Sequence, residues 1–265
     1  MHPRLTVFDR VFAGATVDEV VAGLVPAGAP RVGIARARLE RDGVDEGSAA
    51  IRAAGLDVTH LLHGPLFELD RPETWEAVRA DAARTLELAS ALGARCVYGL
   101  TGPAYGLPWE AAAERFAVAA APVAASARAA GVPFLLETAN MLFAKLGFLH
   151  TLRDTVDVAR ESGLGVCLDV QHCWSERGLR ETIHRGAGLV GLVQLSDLLP
   201  GRREPYRAVP GDGVIPLEWI VAAVLEEGYT GFFDLELYGE EGVDPVETIK
   251  RSADYVGALL ERLGA

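Results

Sequence analysis

Four side chains that carry oxygen donors lie within, or at the end of, apolar segments in the second half of the chain. They are Glu137 in segment 132–137, Asp169 in 165–170, Gln194 in 189–195 and Glu236 in 231–237. Burying a carboxylate in such a segment costs several kcal/mol unless a cation pairs with it or a metal binds it. Few Lys or Arg residues lie in the neighbouring segments, so the pattern favours one shared cation over separate ion pairs.

The donor types indicate which cation this would be. Three carboxylates and a side-chain amide form an all-oxygen set, which suits Mg²⁺ or Mn²⁺ better than a structural zinc ion. The sequence therefore predicts one divalent metal ion, Mn²⁺ or Mg²⁺, held by Glu137, Asp169, Gln194 and Glu236. For any one of these residues alone, a buried ion pair with an arginine is an equally good interpretation.

A metal site of this kind supports proton transfer next to a carbonyl group. A cation that chelates a carbonyl and an adjacent hydroxyl stabilises the enediolate that forms when the neighbouring carbon loses its proton. One glutamate removes the proton and a second returns it to the same or the adjacent carbon, so isomerisation and epimerisation need the same groups. Loss of a β-hydroxyl from the same enediolate would instead make the enzyme a carbon–oxygen lyase.

Parallel strands that end at a common edge would bring these side chains together. Short apolar segments alternate with helix patterns along the chain, and most lack polar alternation, as expected of strands covered on both faces. The segments span residues 5–8, 31–35, 57–62, 95–100, 132–137, 165–170, 189–195 and 231–237. The helix patterns between them have the usual start and stop signals, including a capping box at 16–19 and C-terminal glycines at Gly93 and Gly131.

Eight strand–helix units of this length predict an α/β fold, a single (β/α)8 TIM barrel over residues 1–265. A doubly wound open sheet is the alternative, but it would normally carry a glycine-rich phosphate turn after its first strand, and residues 8–12 contain no glycine. In a barrel the active site forms at the carboxyl ends of the strands, which is where the four donor residues lie.

Three further residues are candidates for contact with a substrate. His63 ends the third apolar segment, and Arg202 and Arg207 lie on the loop after the seventh. A guanidinium on that loop could bind a substrate carboxylate or hydroxyl groups, although a solvated loop arginine is an equally plausible interpretation. The alternative for His63 is a role in capping the loop.

Composition excludes several other classes of protein. The formal net charge of −12 argues against nucleic-acid binding, and the chain has no uncharged apolar stretch of membrane-spanning length. The apolar run 5–8 is too short for the core of a signal peptide, so we expect a cytoplasmic protein with a small-molecule substrate. The three cysteines, Cys96, Cys167 and Cys173, are expected to be core thiols.

The strand ends resemble those of the xylose isomerase-like barrel superfamily, which includes sugar epimerases, inosose dehydratase, hydroxypyruvate isomerase and the endonuclease IV family. The resemblance covers nearly the whole chain and is carried by Glu137, by Asp169 with His172 three residues later, and by Glu236. It implies that Glu137 and Glu236 bind the metal and also act as the acid/base pair. It further implies that His172 contacts the substrate and that the protein forms a dimer or tetramer, as many relatives do.

Two sequence stretches resemble different branches of that superfamily. Gln194, where most epimerases have histidine, and the stretch 200–205 are similar to the hydroxypyruvate isomerase branch, whereas 207–213 is similar to a loop of the ketose epimerases. The expectation is therefore an isomerase or epimerase of a small sugar, keto sugar or hydroxy-keto acid, with an inosose or keto-sugar dehydratase as the alternative. The nuclease branch needs many histidine ligands for three zinc ions, and this chain has only 6 histidines. A non-catalytic barrel is the remaining hypothesis.

Overall fold

Eight parallel strands close into a barrel in the computed structural model, which describes residues 1–201, 207–240 and 242–265. The strands are β1 (Leu5–Phe8), β2 (Arg31–Ala35), β3 (Asp57–Leu62), β4 (Cys96–Gly99), β5 (Phe134–Glu137), β6 (Gly165–Asp169), β7 (Val190–Leu195) and β8 (Phe233–Leu235). Each strand pairs with the next, and β8 pairs with β1 through Leu5 and Phe233. The predicted (β/α)8 barrel is confirmed.

Helices surround the barrel between successive strands. They are α1 (Val17–Leu24), α2 (Arg36–Asp42), α3 (Val44–Ala53), α4 (Trp75–Leu92), α5 (Trp109–Ala130), α6 (Leu152–Ser162), α7 (Val170–Cys173), α8 (Leu179–Arg185), α9 (Leu217–Glu226) and α10 (Pro245–Arg262). The predicted capping box opens α1, where the backbone N–H of Thr16 donates to Glu19 Oε2 at 2.7 Å and Glu19 N–H donates to Thr16 Oγ1 at 3.3 Å. Among the described residues, every helix is too short or too polar to cross a membrane.

The apolar core has two parts, one between the barrel and the helices and one inside the barrel. The inner part is small and is formed by buried side chains that point toward the barrel axis: Phe8, Cys96, Tyr98, Leu135, Cys167 and Leu192. All three cysteines are buried free thiols, as predicted. Because the inner core fills the lower barrel, the polar side chains at the strand ends above it are left facing an enclosed mouth.

Short helices that the sequence analysis did not predict fix two strand ends at that mouth. Helix α7 begins directly after β6, and Asp169 is its N-cap, accepting a hydrogen bond from the backbone N–H of Gln171 at 2.8 Å. A 3-10 turn, Asp9–Val11, follows β1 directly and has no side-chain cap. The N-cap hydrogen bond holds one oxygen of the Asp169 carboxylate against the backbone of α7.

Candidate active site at the carboxyl ends of the strands

Three of the four predicted metal ligands meet at the mouth of the barrel. Glu137 is the last residue of β5, Asp169 is the last of β6, and Glu236 follows β8; all three are buried. His172, on α7, joins them: the donor atoms of Glu137, Asp169 and His172 all lie within 4.8 Å of one another. Glu137, His172 and Glu236 line a narrow cavity of about 30 Å³.

Arg207 lies inside this cluster rather than on a solvated loop. Its side chain is buried, and its Nη2 donates a short hydrogen bond to Asp169 Oδ2 and lies 3.3 Å from Glu236 Oε2. The same nitrogen is 3.3 Å from His172 Nε2, and Nη1 donates to Ser196 Oγ at 3.2 Å. The guanidinium group therefore supplies positive charge to two of the three carboxylates.

The three carboxyl groups differ in their affinity for a proton. Burial raises the pKa of Glu236 to about 7, although Arg207 acts in the opposite direction. Burial also raises the pKa of Glu137 well above its usual range, and the charges of Glu236 and Asp169 add to that effect. Burial acts the same way on Asp169, but Arg207 and His172 outweigh it and hold that pKa below its ordinary value. Two glutamates with raised pKa values, beside one carboxylate whose pKa is lowered, are typical of an acid/base site.

His172 is held as a neutral imidazole in one orientation. Burial lowers its pKa to about 4, against the effect of Asp169. Asn140 fixes the ring: its Oδ1 accepts from the backbone N–H of Leu142 at 3.0 Å, so its Nδ2 is the atom that faces His172 Nδ1 at 2.8 Å. His172 Nε2 faces the mouth and lies 3.4 Å from Asp169 Oδ2 and 3.3 Å from Arg207 Nη2. Phe143 packs edge-on against the ring, with centroids 5.2 Å apart.

Gln194 lies deeper in the barrel than the three carboxylates. Its Oε1 accepts from the Cys167 thiol at 3.1 Å and its Nε2 donates to Asp234 Oδ2 at 3.3 Å, so both ends of the amide have partners inside the barrel. Asp234 Oδ2 is also 3.5 Å from His60 Nε2. The role of Gln194 as a metal ligand stays a prediction, and in this arrangement its oxygen is directed at a thiol.

The remaining predicted substrate residues fall elsewhere. His63 is turned toward the helices: its Nδ1 is 2.9 Å from Thr85 Oγ1 on α4, and its ring packs edge-on against Phe134. It lines an apolar cavity behind the sheet and not the one at the mouth, so the geometry gives no support to the predicted substrate contact. Arg202 lies outside the described residues.

Two residues that the sequence analysis did not single out complete the mouth cavity. Arg10 follows β1 and Tyr238 follows β8, and both line the cavity together with Glu137 and Glu236. The Cζ atoms of Arg10 and Arg207 lie 5.8 Å and 5.1 Å from the centroid of the Tyr238 ring. Their position two or three residues past a strand end is the signal that would have identified them, since barrel sites form there.

The side chains at the mouth fit a divalent cation. Glu137, Asp169 and His172 place donor atoms within a distance that one ion can bridge. Glu236 Oε2 is a buried acceptor that has no hydrogen-bond partner among the described residues. Oxygen donors with one imidazole suit Mn²⁺, Mg²⁺ or a catalytic Zn²⁺.

Comparison with known proteins agrees with this architecture. The chain matches the protein family described as xylose isomerase-like TIM barrel over residues 21–259, and no protein of curated function matches it. Protein SMc04130 from Sinorhizobium meliloti 1021 is 26% identical with a TM-score of 0.80, over 98% of this chain and 97% of that one. The structure of L-ribulose 3-epimerase is 22% identical with a TM-score of 0.79, over 98% and 95%. The IolI protein with a bound zinc atom is 15% identical with a TM-score of 0.79, over 98% and 99%.

Proposed function

This chain belongs to the xylose isomerase-like TIM barrel family, and we propose that it is a divalent-metal-dependent isomerase or epimerase. Its substrate would be a small sugar, keto sugar or hydroxy-keto acid. The observation that carries the proposal is that two buried glutamates, Glu137 and Glu236, line one cavity beside the ionised Asp169. The similarity in fold to an L-ribulose 3-epimerase supports it.

Glu137, Asp169 and Glu236 would hold the metal ion, with His172 or Gln194 as a further ligand. Mn²⁺ or Mg²⁺ is proposed because the donors are mostly oxygen, and the zinc atom in the IolI relative supports a metal site in this fold. When bound, a divalent cation would polarise the substrate carbonyl and stabilise the negative charge that develops on its oxygen.

The two glutamates would carry out the proton transfers. An ionised glutamate accepts the proton from the carbon next to the carbonyl, and a protonated glutamate returns one; a pKa near 7 at Glu236 lets that residue serve in either role. Return to the same carbon gives an epimer, and return to the adjacent carbon gives an isomer. His172, whose Nε2 faces the mouth, would either complete the metal site or contact a substrate oxygen. Arg207 keeps Asp169 ionised throughout.

Deuterium uptake by the substrate in D₂O tests this function. NMR follows the uptake, first with Mn²⁺-loaded protein and then with protein stripped of metal. Candidate keto sugars and hydroxy-keto acids should take up deuterium next to the carbonyl. Glu137→Gln and Glu236→Gln should each slow this exchange by about 10²-fold or more, because each removes an acid/base group. Glu114→Gln is the matched control, since Glu114 is exposed on α5.

Two outcomes would change the assignment. Exchange that continues at the wild-type rate in both glutamate variants would contradict the proposed acid/base pair. Loss of water from the substrate, seen as a new alkene or deoxy-keto product, would establish the carbon–oxygen lyase alternative, because the same proton abstraction then expels a β-hydroxyl.

A further inference from the structure

Arg10 is a cationic group at the rim of the site, and its guanidinium has no hydrogen-bond or ion-pair partner among the described residues. It belongs to the 3-10 turn after β1 and is exposed, whereas its neighbour Asp9 is buried. Across the described part of the chain, its guanidinium forms no hydrogen bond or ion pair. Its contacts are with the faces of two rings: the centroids of Phe8 and Tyr238 each lie 5.8 Å from its Cζ atom.

The backbone that carries Arg10 is held in place from both sides. The N–H of Gly239, in the loop after β8, donates to the carbonyl of Arg10 at 3.2 Å. The buried Asp9 carboxylate accepts from Arg38 Nε at 2.6 Å and from the backbone N–H of Ala35 at 3.2 Å. The aromatic faces then hold the guanidinium by cation–π contact and leave its N–H groups free. A positioned cation with unused donors at a cavity rim is suited to binding an anion.

Arg10 acts on Glu137 and Glu236 through its charge and lowers the pKa of both, but it forms no direct ion pair with them. Arg207 already contacts Asp169 and Glu236, whereas no described carboxylate forms an ion pair with Arg10. With a divalent cation bound, the positive charge of the two guanidinium groups and the cation would exceed the negative charge of the three carboxylates, even when all three are ionised. A substrate with an anionic group would offset that excess inside a poorly hydrated site.

We propose that Arg10 binds a carboxylate group of the substrate, so that the site takes short hydroxy-keto acids in preference to uncharged keto sugars. The inference rests on the proposed function and names the substrate class within it. Arg10 lines the same narrow cavity as Glu137 and Glu236, so a carboxylate bound to Arg10 would place a short substrate next to the proposed acid/base pair. The planar guanidinium matches a carboxylate with two parallel hydrogen bonds, and this gives Arg10 a preference for that group over a hydroxyl.

Isothermal titration calorimetry on the full chain with Mn²⁺ can test the proposal with two probes that differ in one group. Hydroxypyruvate carries a carboxylate where dihydroxyacetone carries a hydroxymethyl group. A charged hydrogen-bonded contact predicts that hydroxypyruvate binds at least about tenfold more tightly to the wild-type protein. Arg10→Met should remove at least about tenfold of hydroxypyruvate affinity and change dihydroxyacetone affinity by less than about twofold, while Arg10→Lys keeps part of the preference.

Arg160→Met is the matched control, because Arg160 is an exposed arginine in the last turn of α6 that pairs with Asp157 and does not line the mouth cavity. Arg10→Met is expected to fold, since Arg10 contributes no hydrogen bond from its side chain, and circular dichroism checks this. An unchanged preference in Arg10→Met, or tighter binding of dihydroxyacetone phosphate than of hydroxypyruvate, would overturn the proposal. Binding can be measured without turnover, so the two proposals can fail separately. An Arg10-dependent preference for hydroxypyruvate without deuterium exchange would contradict only the proposed function. Deuterium exchange without that preference would contradict only this inference.

Discussion

Arg207 determines how the three mouth carboxylates can be buried together. Its guanidinium contacts Asp169 and Glu236, and its own side chain is almost completely enclosed. A buried cation of this kind contributes little net stability when its partners are intact, but its removal leaves the carboxylates without compensation. Its Nη2 reaches Asp169 Oδ2 and Glu236 Oε2, so a metal ion bound by these carboxylates would share them with the guanidinium.

The first prediction follows from that contact. In protein stripped of metal, Arg207→Met should lower the free energy of unfolding by about 3 kcal/mol or more, because two buried carboxylates lose their cation. Urea unfolding followed by circular dichroism measures this change. Addition of Mn²⁺ should stabilise the variant more than the wild-type protein, since the metal no longer competes with the guanidinium.

Arg251→Met provides the comparison for the Arg207 variant. Arg251 pairs with Asp212, also at short distance, but both side chains are about half exposed. An exposed pair contributes about 0–1 kcal/mol, so this substitution should change stability little. Equal small losses in the two variants would show that Arg207 does not neutralise the site.

Individual side-chain directions were the part of the site that sequence could not supply. Glu137, Asp169 and Glu236 were predictable because a carboxylate at the end of an apolar segment has few other uses. Gln194 pairs in register with Asp234, two residues before Glu236, so its amide reaches the deeper acid. His63 is three residues beyond His60 and therefore faces away from the barrel axis, since side chains alternate along a strand.

At the scale of elements, one aspartate organises the loop that carries Arg207. Asp197 follows β7, and its carboxylate accepts hydrogen bonds from four backbone N–H groups, of Leu198, Gly211, Gly213 and Ile215, at 2.8–3.0 Å. Its own backbone pairs with that of Ala208, next to Arg207, through two hydrogen bonds of 2.9 Å. The loop that carries Arg207 is thus positioned by Asp197, which lies outside the cavity.

The second prediction concerns this loop. Asp197→Ala should destabilise the protein by about 3 kcal/mol or more, because several buried donors lose their acceptor at once. In the Asp197→Ala background, Arg207→Met should lower the free energy of unfolding by less than it does in the wild-type background. The reason is that a loosened loop no longer holds the guanidinium against Asp169. A double-mutant cycle measured by urea unfolding gives both values.

Two variants define the reference points for the Asp197 cycle. Asp197→Asn keeps one carbonyl acceptor and should lose less stability than the alanine variant. Asp212→Ala lies on the same loop but is exposed, so it should be close to neutral. Strictly additive losses for Asp197→Ala and Arg207→Met would mean that the loop does not position the arginine.

The sequence predicted the order of the strands and helices better than it predicted where each of them begins and ends. Strands β1, β2 and β3 have the predicted bounds, because their apolar segments stop where polar or glycine residues begin. Strand β8 is shorter than its segment, since only Phe233–Leu235 pair with both neighbours before the chain turns into the mouth. Short helices such as α7 depend on tertiary contacts and on a cap from Asp169, and a four-residue pattern carries too little periodicity to reveal them.

At the scale of the whole molecule, the site lies where the eight strands of a closed barrel converge. The candidate metal ligands come from β5, from β6 and from the residue after β8, and β8 is also the strand that closes the barrel against β1. A cation that binds them would therefore link distant parts of the chain that separate on unfolding. The chain also carries a net charge of −12, so any added salt reduces its self-repulsion.

The last prediction separates specific metal binding from that general screening. Mn²⁺ at about a hundredfold above its Kd should raise the free energy of unfolding by about 2.7 kcal/mol, because the ion binds the folded state alone. NaCl of equal ionic strength should give a smaller gain, since it only screens surface charge, and a chelator should reverse the effect of Mn²⁺ but not that of NaCl. Asp169→Asn removes one ligand and should lose the specific part of the gain, whereas Asp254→Asn, exposed on α10, should keep it. If Mn²⁺ stabilises Asp169→Asn as much as it stabilises the wild-type protein, the gain arises from screening, and the cluster at the barrel mouth does not bind the ion.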